Sequence, residues 1–325
     1  MPSNKVTLQI NLSPSDFPHV KYLLQHQLDI LSRQVDEIIL VVDTRPSKGR
    51  FSNNWHTYQD KLNSLLTNDI AQIYGANVVF VDYTPEVKSD VAGYFFGQNK
   101  LPDKDFRGGP FYAYFFGLFM AANDIVFHLD SDMFLGGGSR SWVAEALMMF
   151  RENPECLLVS PLPGPPHPGD ILIGQADTRK KAPYTHVFPY MSTRIFMLDK
   201  TRFRKHKLEQ KKPAINQQLK ALTSGNSNAD LPEHLITAYM KKWGLFRIDF
   251  LGDAPGLWSL HPPYRTRAFY EHLPELINKI MTNNLPESQD GFYDITDDVC
   301  DWTAAREELS NRRWWKRYFR IFNGR

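Results

Sequence analysis

Two aspartates, Asp130 and Asp132, directly follow an apolar run over 125–129. The run predicts a buried strand, and in open α/β sheets ligands bind beyond the carboxyl ends of the strands. Carboxylate oxygens at such a place suit a hard divalent cation, Mg²⁺ or Mn²⁺, which usually binds through one or two carboxylates and substrate phosphates. The alternative for so short a D-x-D is an Asx turn that caps the following helix.

The segments around the aspartates alternate in strand-like and helix-like character, which predicts an α/β sheet. Strands are predicted at 6–11, 37–42, 76–81, 125–129, 156–160, 193–198 and 245–250, with a short extended segment at 257–261. Helices are predicted at 14–32, 60–73, 109–122, 139–151, 232–243 and 267–281. Asp43 lies at the carboxyl end of the second strand, and His128 is predicted to be a packed strand residue.

Four segments have a different character. Residues 45–55 and 83–108 are predicted to be loops. Residues 161–183 contain six prolines, which predicts an irregular loop that is either a surface excursion or a cover over a substrate. Residues 200–220 are strongly basic, with Glu209 as the only acid, and we interpret them as a solvated helix face.

Composition excludes several classes of protein. The chain has 325 residues, of which 42% are apolar and 23% charged, as in soluble globular proteins. Its two cysteines, Cys156 and Cys300, match no disulfide framework and no metal-ligand spacing, so we expect a reducing compartment. The first residues show no signal peptide, and the longest apolar run, 111–122, is too short to span a bilayer.

The order of these segments resembles GT-A glycosyltransferases, and is most similar to the family-2-like group. The resemblance covers about residues 5–262. It depends on Arg107-Gly108-Gly109-Pro110 before a small aromatic helix, the strand into Asp130-Ser131-Asp132, the strand that ends at Asp43, the strand over 192–199, and Leu231-Pro232-Glu233-His234-Leu235 at the start of a helix.

The resemblance implies a GT-A-like, Rossmann-type mixed sheet flanked by helices. Residues 1–135 would form the nucleotide-sugar-binding half and end in the D-x-D motif. Residues 136–285 would form the acceptor-binding half of the same domain, and 286–325 a C-terminal extension.

The resemblance also implies roles for individual side chains. Asp43 would bind the base or ribose of the nucleotide, and Arg107 would lie near the nucleotide or diphosphate. Asp130 would contact the ribose or the metal, and Asp132 would ligate the metal. His261, which follows an apolar segment and precedes two prolines, is the third candidate metal ligand or else a structural histidine.

Glu233 would be the general base, which implies inversion at the anomeric carbon. The family usually has Glu-Asp at this motif, whereas this chain has Glu233-His234. Asp230 is therefore a second candidate, and a retaining mechanism needs no such base. Glu233 is alternatively a first-turn acid favoured by the helix dipole after Pro232.

These roles predict a metal-dependent hexosyltransferase that uses Mn²⁺ or Mg²⁺ to move a sugar from a UDP- or GDP-sugar donor to a hydroxyl of a glycan, a lipid-linked acceptor or a small molecule. A sugar-phosphate nucleotidyltransferase is less favoured, because that class needs a glycine-rich basic loop after its first strand and residues 11–15 contain no glycine. A non-catalytic carbohydrate- or nucleotide-binding module is the third alternative.

The C-terminus differs from the rest of the chain. Residues 311–325 carry six cations and no acid, whereas the remainder has a net charge of −4, so nucleic acid is not an expected partner. On a helix, the aromatic and basic residues of this segment fall on opposite sides, a pattern typical of an amphipathic helix on an anionic membrane. The alternative is a helix packed on the body. We expect a cytoplasmic protein, peripheral on the inner face of a membrane if the tail binds lipid.

Overall fold

The computed structural model describes residues 5–46, 54–176 and 178–311. In these residues eleven strands form one mixed sheet in the order β3-β2-β1-β4-β9-β6-β10-β8-β7, with β11 joining β5 to β6. The strands are β1 Val6–Leu12, β2 Glu37–Val42, β3 Asn77–Phe80, β4 Ile125–Asp130, β5 Phe134–Gly136, β6 Cys156–Pro163, β7 Arg179–Ala182, β8 Thr185–Phe188, β9 Ile195–Asp199, β10 Phe246–Phe250 and β11 Trp258–Leu260.

Helices cover both faces of this sheet. They are α1 Phe17–Leu31, α2 Trp55–Ser64, α3 Ala71–Tyr74, α4 Pro85–Phe96, α5 Tyr112–Met120, α6 Trp142–Glu152, α7 Arg202–Lys205, α8 Ile215–Thr223, α9 Pro232–Trp243, α10 Arg267–Met281 and α11 Thr303–Asn311, with a π-helical segment at Leu65–Ile70. Because successive strand residues point to opposite faces, Ile38 and Leu40 pack with α1, α2 and α6, and Ile39 and Val41 pack with α4, α5 and α9. The predicted fold class, a Rossmann-type mixed sheet flanked by helices, is confirmed.

The first half of the sheet places the ends of three parallel strands side by side. Strand β1 pairs in parallel with both β2 and β4, and Asn11 lies in register with Val41 on one side and Asp130 on the other. Neighbouring strands lie about 4.8 Å apart. Asp43, which follows β2, and Asp130, which ends β4, therefore lie on the same edge of the sheet, about two strand spacings apart.

The second half brings further polar residues to the same edge. Strand β9 is antiparallel to β4 and to β6, and β10 is parallel to β6. The carboxyl ends of β4, β6 and β10 therefore lie beside the start of β9. Arg194 immediately precedes β9, and Asp249 is next to the last residue of β10.

Strand β11 positions His261 at this edge. It pairs antiparallel with β5 and parallel with β6, and its Trp258 packs over Gly136. A Cβ atom at Gly136 would lie 2.1 Å from the Trp258 ring. The Trp258 side chain is 2% exposed and belongs to the hydrophobic core. The missing side chain at position 136 therefore sets how closely β11 approaches β5.

The sequence predicted several elements with their observed bounds, among them α9 and α10. The expectation of a loop over 83–108 is wrong, because α4 occupies 85–96. This helix has Pro85 in its first turn and Gly97 in the left-handed conformation after its end, both ordinary helix boundary signals. It buries Val91, Ala92, Phe95 and Phe96 at helical spacing.

The proline-rich loop is shorter than predicted. Strand β6 continues to Pro163, and β7 begins at Arg179 and pairs with β8 in a hairpin. The basic stretch 200–220 forms the short helix α7, an extended connection and most of α8 rather than one helix. The predicted amphipathic tail helix falls on 312–325, outside the described residues. Along the described chain, every helix is too short or too polar to cross a bilayer.

The packing of Trp258 on Gly136 gives a test of the fold. Gly136→Ala should lower the free energy of unfolding by about 1–3 kcal/mol, the usual cost of overpacking a core. The matched control is Gly93→Ala in α4, where the nearest atom lies 3.8 Å from an added Cβ. That change should be neutral or stabilising by up to about 1 kcal/mol, because Gly is a poor helix former. Urea unfolding of both variants would measure this, and equal stabilities would contradict the packing.

Candidate active site

The carboxylate of Asp132 lies at the centre of the carboxyl edge of the sheet. It is 1% exposed, and its Oδ2 accepts hydrogen bonds from Nε of Arg265, at 2.9 Å, and from Nη2 of the same side chain. Burial raises the pKa of this carboxyl, but the charges of Arg265, His261 and other nearby cations outweigh burial and hold the pKa well below its usual range. Asp132 is therefore an anion whose burial depends on cations around it.

Asp132 Oδ1 has a different environment. It is buried and has no hydrogen-bond partner. Buried acceptors are normally satisfied, so this atom faces a place where a ligand or a cation belongs.

His261 presents one ring nitrogen to this carboxylate. Its Nε2 lies 3.6 Å from Asp132 Oδ2, and its Nδ1 lies 2.9 Å from Asp294 Oδ1. The backbone of His261 bonds with Tyr293 and Ile295, which fixes the strand end that carries the ring. A carboxylate on one ring nitrogen that orients the other toward a metal is the usual arrangement of a ligating histidine.

The donor atoms here fit a divalent cation. The unpartnered carboxylate oxygen of Asp132 is a suitable ligand for Mn²⁺ or Mg²⁺, and the imidazole nitrogen of His261 suits a transition-metal ion. No three His, Cys, Asp or Glu side chains within 5–46, 54–176 and 178–311 are arranged to hold an ion. The remaining ligands would therefore come from substrate phosphates and water, as is common for Mg²⁺.

Asp130 and Arg107, two other predicted site residues, are less buried. The Asp130 side chain is 36% exposed, and its Oδ1 lies 3.4 Å from Nε2 of the fully buried His128. His128 itself packs between Tyr114 and Phe196 and bonds Gln9, as predicted for a strand residue. Arg107 is exposed.

Asp43 lies in a separate polar network on the same edge. Its carboxylate accepts from Tyr83 Oη at 2.7 Å, from Lys104 Nζ at 2.6 Å and from the Arg45 backbone at 3.0 Å. It is 5% exposed. A carboxylate accepts up to about four hydrogen bonds, so Asp43 retains room for one further donor from a ligand.

A cavity of about 160 Å³ is lined in part by Glu233, Arg247, Ser259 and Tyr293. Tyr293 also contacts His261, because its ring stacks on the imidazole with the ring centroids 6.0 Å apart. It therefore lies next to both this cavity and His261. Burial raises the pKa of Glu233, and the charges of His234, Arg194 and Arg247 offset this in part. The carboxylate of Glu233 is therefore more basic than an exposed glutamate.

Arg247 is held rigidly in this cavity. Its Nε and Nη2 donate to the two oxygens of Asp249 at 2.7 and 3.0 Å, and its guanidinium lies 4.2 Å from the Phe188 ring centroid. Burial raises the pKa of Asp249 to about 6, even though Arg247 lowers it. The third nitrogen of Arg247, Nη1, is buried and has no partner.

Asp230, the second candidate base, forms hydrogen bonds with two residues close to it in the chain. Its Oδ1 accepts from His234 Nδ1 at 2.7 Å and from the Leu231 backbone at 2.9 Å. These bonds hold the residues that lead into α9. Asp230 is not among the residues that line the Glu233 cavity.

Four of the eleven buried side-chain atoms that have no hydrogen-bond partner among the described residues belong to Asp132 (Oδ1), Arg247 (Nη1), Ser259 (Oγ) and Tyr114 (Oη). Burial raises the pKa of Tyr114, and the charges of Asp130 and Glu233 raise it further. Since buried polar groups are normally hydrogen-bonded, these four atoms are available to bond a polar ligand.

Sequence reasoning missed the arginines that lie near Asp132. Arg265 lies 133 residues from Asp132 in the chain, and it also contacts Asp16 at 3.3 Å. The one available signal was its position four residues after His261, behind two prolines. Arg247 and Asp249 could have been noticed as charged residues at alternate positions of an otherwise apolar strand, on one face of it.

Comparisons with known proteins find similarity in structure but none in sequence. No protein-family model matches the chain, and no curated protein matches it. Similar solved structures include S. aureus TarS in complex with UDP-GlcNAc, with 11% identity, 87% of this chain and 68% of that chain covered, and a TM-score of 0.36.

Two other solved structures contain related nucleotide sugars. One is UDP-glucose pyrophosphorylase with UDP-glucose, with 11% identity, 77% of this chain and 90% of that chain covered, and a TM-score of 0.40. The other is the mannosyltransferase PcManGT from Pyrobaculum calidifontis with GDP-Man and Mn²⁺, with 13% identity, 64% and 49% coverage, and a TM-score of 0.34.

The dependence of Asp132 on Arg265 can be measured. Arg265→Gln removes the positive charge beside the buried Asp132 carboxylate and should lower the free energy of unfolding by about 1–3 kcal/mol. The loss is smaller than for a fully buried ion pair, because Arg265 is 39% exposed. The control is Arg267→Gln, whose ion pair with Glu271 is on the surface and should contribute nothing measurable. Equal unfolding midpoints in urea for the two variants would contradict the role of Arg265.

Proposed function

We propose that the chain is a metal-dependent glycosyltransferase that moves a hexosyl group from a nucleoside diphosphate sugar to an acceptor hydroxyl, with inversion at the anomeric carbon. The observation that carries the proposal is the buried Asp132 carboxylate, with one oxygen unpartnered, beside His261 and next to the cavity that holds Glu233. The metal, the diphosphate of the donor and the general base would then lie next to one another along one edge of the sheet.

The donor would lie across the ends of β1, β2 and β4. Asp43 would accept a hydrogen bond from the base or ribose, and Asp130, which is partly exposed, would contact the ribose. Asp132 and His261 would hold Mn²⁺ or Mg²⁺, which when bound supplies positive charge to the diphosphate leaving group. Arg265 and Arg194 add fixed cations beside the same position.

Glu233 would take the proton from the acceptor hydroxyl. A general base works best when its pKa is near the working pH, and burial shifts the pKa of Glu233 in that direction. Arg247 Nη1 and Ser259 Oγ, both without partners, would bind sugar oxygens and hold the acceptor or the transferred sugar in reach of Glu233. Tyr293 would close the side toward His261.

The start of the chain disfavours a sugar-phosphate nucleotidyltransferase. That class needs backbone donors and cations for phosphate directly after its first strand. Here the turn after β1 is held by the Asp16 carboxylate, which accepts from the Ser13 backbone at 2.9 Å and also contacts Arg265. The Ser13 backbone donor of this turn is therefore already bonded to Asp16 and is not available to a phosphate.

Glu233→Gln should lower kcat by roughly 10²–10⁴ and leave the KM for the donor nearly unchanged, because glutamine keeps the shape but cannot accept the proton. In the wild type the rate should fall as the pH drops through the pKa of Glu233, since only the carboxylate is active, and this limb should lie above pH 4.5, the ordinary pKa of a glutamate.

Glu86→Gln is the matched control. Glu86 follows Pro85 at the start of α4 just as Glu233 follows Pro232, but it is exposed. If Glu233 is only a first-turn acid that interacts favourably with the helix dipole, both substitutions should have the same small effect. Near-native turnover of Glu233→Gln, with Asp230→Asn inactive, would assign the base to Asp230.

Proton NMR of the product anomer tests inversion.

A further inference from the structure

Helix α8 carries an apolar face that nothing in the described structure covers. Ile215, Leu219 and Leu222 follow one another at intervals of four and three residues, which places them on one side of the helix. They are 78%, 61% and 74% exposed. Ala221, on another side, is buried and fixes the helix on the body.

Exposure of this extent is unusual in the described chain. Three of its ten large exposed apolar side chains lie on this helix, which has nine residues. Isolated exposed leucines need no explanation, but grouped ones mark contact surfaces. The face is also separate from the carboxyl edge, because none of its residues belongs to the candidate active site.

The charges around the helix have one sign. The segment 200–228 contains eight lysines and arginines and a single acid, Glu209, and Glu209 is ion-paired with Lys242. Lys211 and Lys212 are exposed just before the helix, and Lys220 is exposed on another side of it. A partner for this surface must therefore be both apolar and negatively charged.

From this combination we infer that α8 and the lysines beside it form a docking surface for an anionic lipid membrane. An interfacial helix has a narrow apolar face and flanking cations, and basic clusters bind the surface of membranes that contain acidic lipids. A protein partner fits less well, since a stable interface takes roughly 20–30 residues a side and this face offers three apolar side chains.

A cavity is lined by the chain segments that come just before and just after α8, and by one residue of α9. It has a volume of about 330 Å³ and is lined in part by Lys211, Lys212, Phe111 and Leu235. Leu235 lies on α9, two residues after Glu233. A membrane held by α8 would present its headgroups at the helix that carries the proposed base. The surface is distinct from the tail at 311–325, whose membrane contact was predicted from sequence.

The test is cosedimentation of the full chain with vesicles of phosphatidylcholine that contain phosphatidylglycerol, against phosphatidylcholine alone. The wild type should bind the acidic vesicles at low salt and lose binding as salt rises. The variant Ile215→Ser/Leu219→Ser/Leu222→Ser should bind at least about tenfold more weakly. The variant Lys211→Glu/Lys212→Glu/Lys220→Glu should do the same.

The matched control is Ile73→Ser/Met148→Ser/Met281→Ser, which removes three similarly exposed apolar side chains elsewhere and should bind as the wild type does. Circular dichroism and thermal melting check that each variant folds. The inference is overturned if the wild type does not bind acidic vesicles, or if the α8 variant binds as tightly as the wild type, in which case another segment holds the lipid. It is also overturned if the wild type is a stable oligomer that the α8 changes convert to monomers.

Discussion

The requirement that the Asp132 carboxylate stay charged while it is 1% exposed governs the arrangement of the site. An unpaired buried anion is costly, and in the absence of cations such a group takes up a proton instead. Arg265, His261 and Arg194 must therefore come close to Asp132, although they are supplied by two chain segments remote from β4 in the sequence. The loop after β11 and the start of β9 take positions that satisfy this one charge, and Asp16 contacts the same Arg265 side chain at 3.3 Å.

The same charge connects stability with the proposed chemistry. In the structure as described, Arg265 bonds one oxygen of Asp132 and leaves the other without a partner. A divalent ion at the free oxygen would add a second compensating charge without displacing the first. Arginine and metal would then neutralise the diphosphate of a leaving nucleotide together, which suits a reaction whose leaving group gains negative charge.

Sequence alone predicted the parts of this site that follow directly from strand ends. Asp43 and Asp130 were found because continuous apolar runs such as EIILVV mark buried strands, and the carboxyl ends of parallel strands share an edge. Arg265, Arg194 and Asp294 could not be found this way, because their contacts depend on how distant loops fold back. Helix α4 was missed, although Pro85 at its start and Gly97 after its end are ordinary helix boundary signals. The aromatic run that did predict a helix lies in α5, the next helix along the chain. The Glu233 cavity depends on Arg247, whose bidentate bond with Asp249 only the strand geometry reveals.

Calorimetric titration of the protein with UDP and with GDP, each with Mn²⁺ and with EDTA, tests whether Asp132 and His261 hold a metal that binds the donor diphosphate. We expect one of the two nucleotides to bind with Mn²⁺ and to bind at least about tenfold more weakly without it. His261→Ala should weaken the Mn²⁺-dependent part, and His272→Ala, on the exposed side of α10, should not. Failure of both nucleotides to bind, or binding that is indifferent to Mn²⁺ and to His261, would contradict the account.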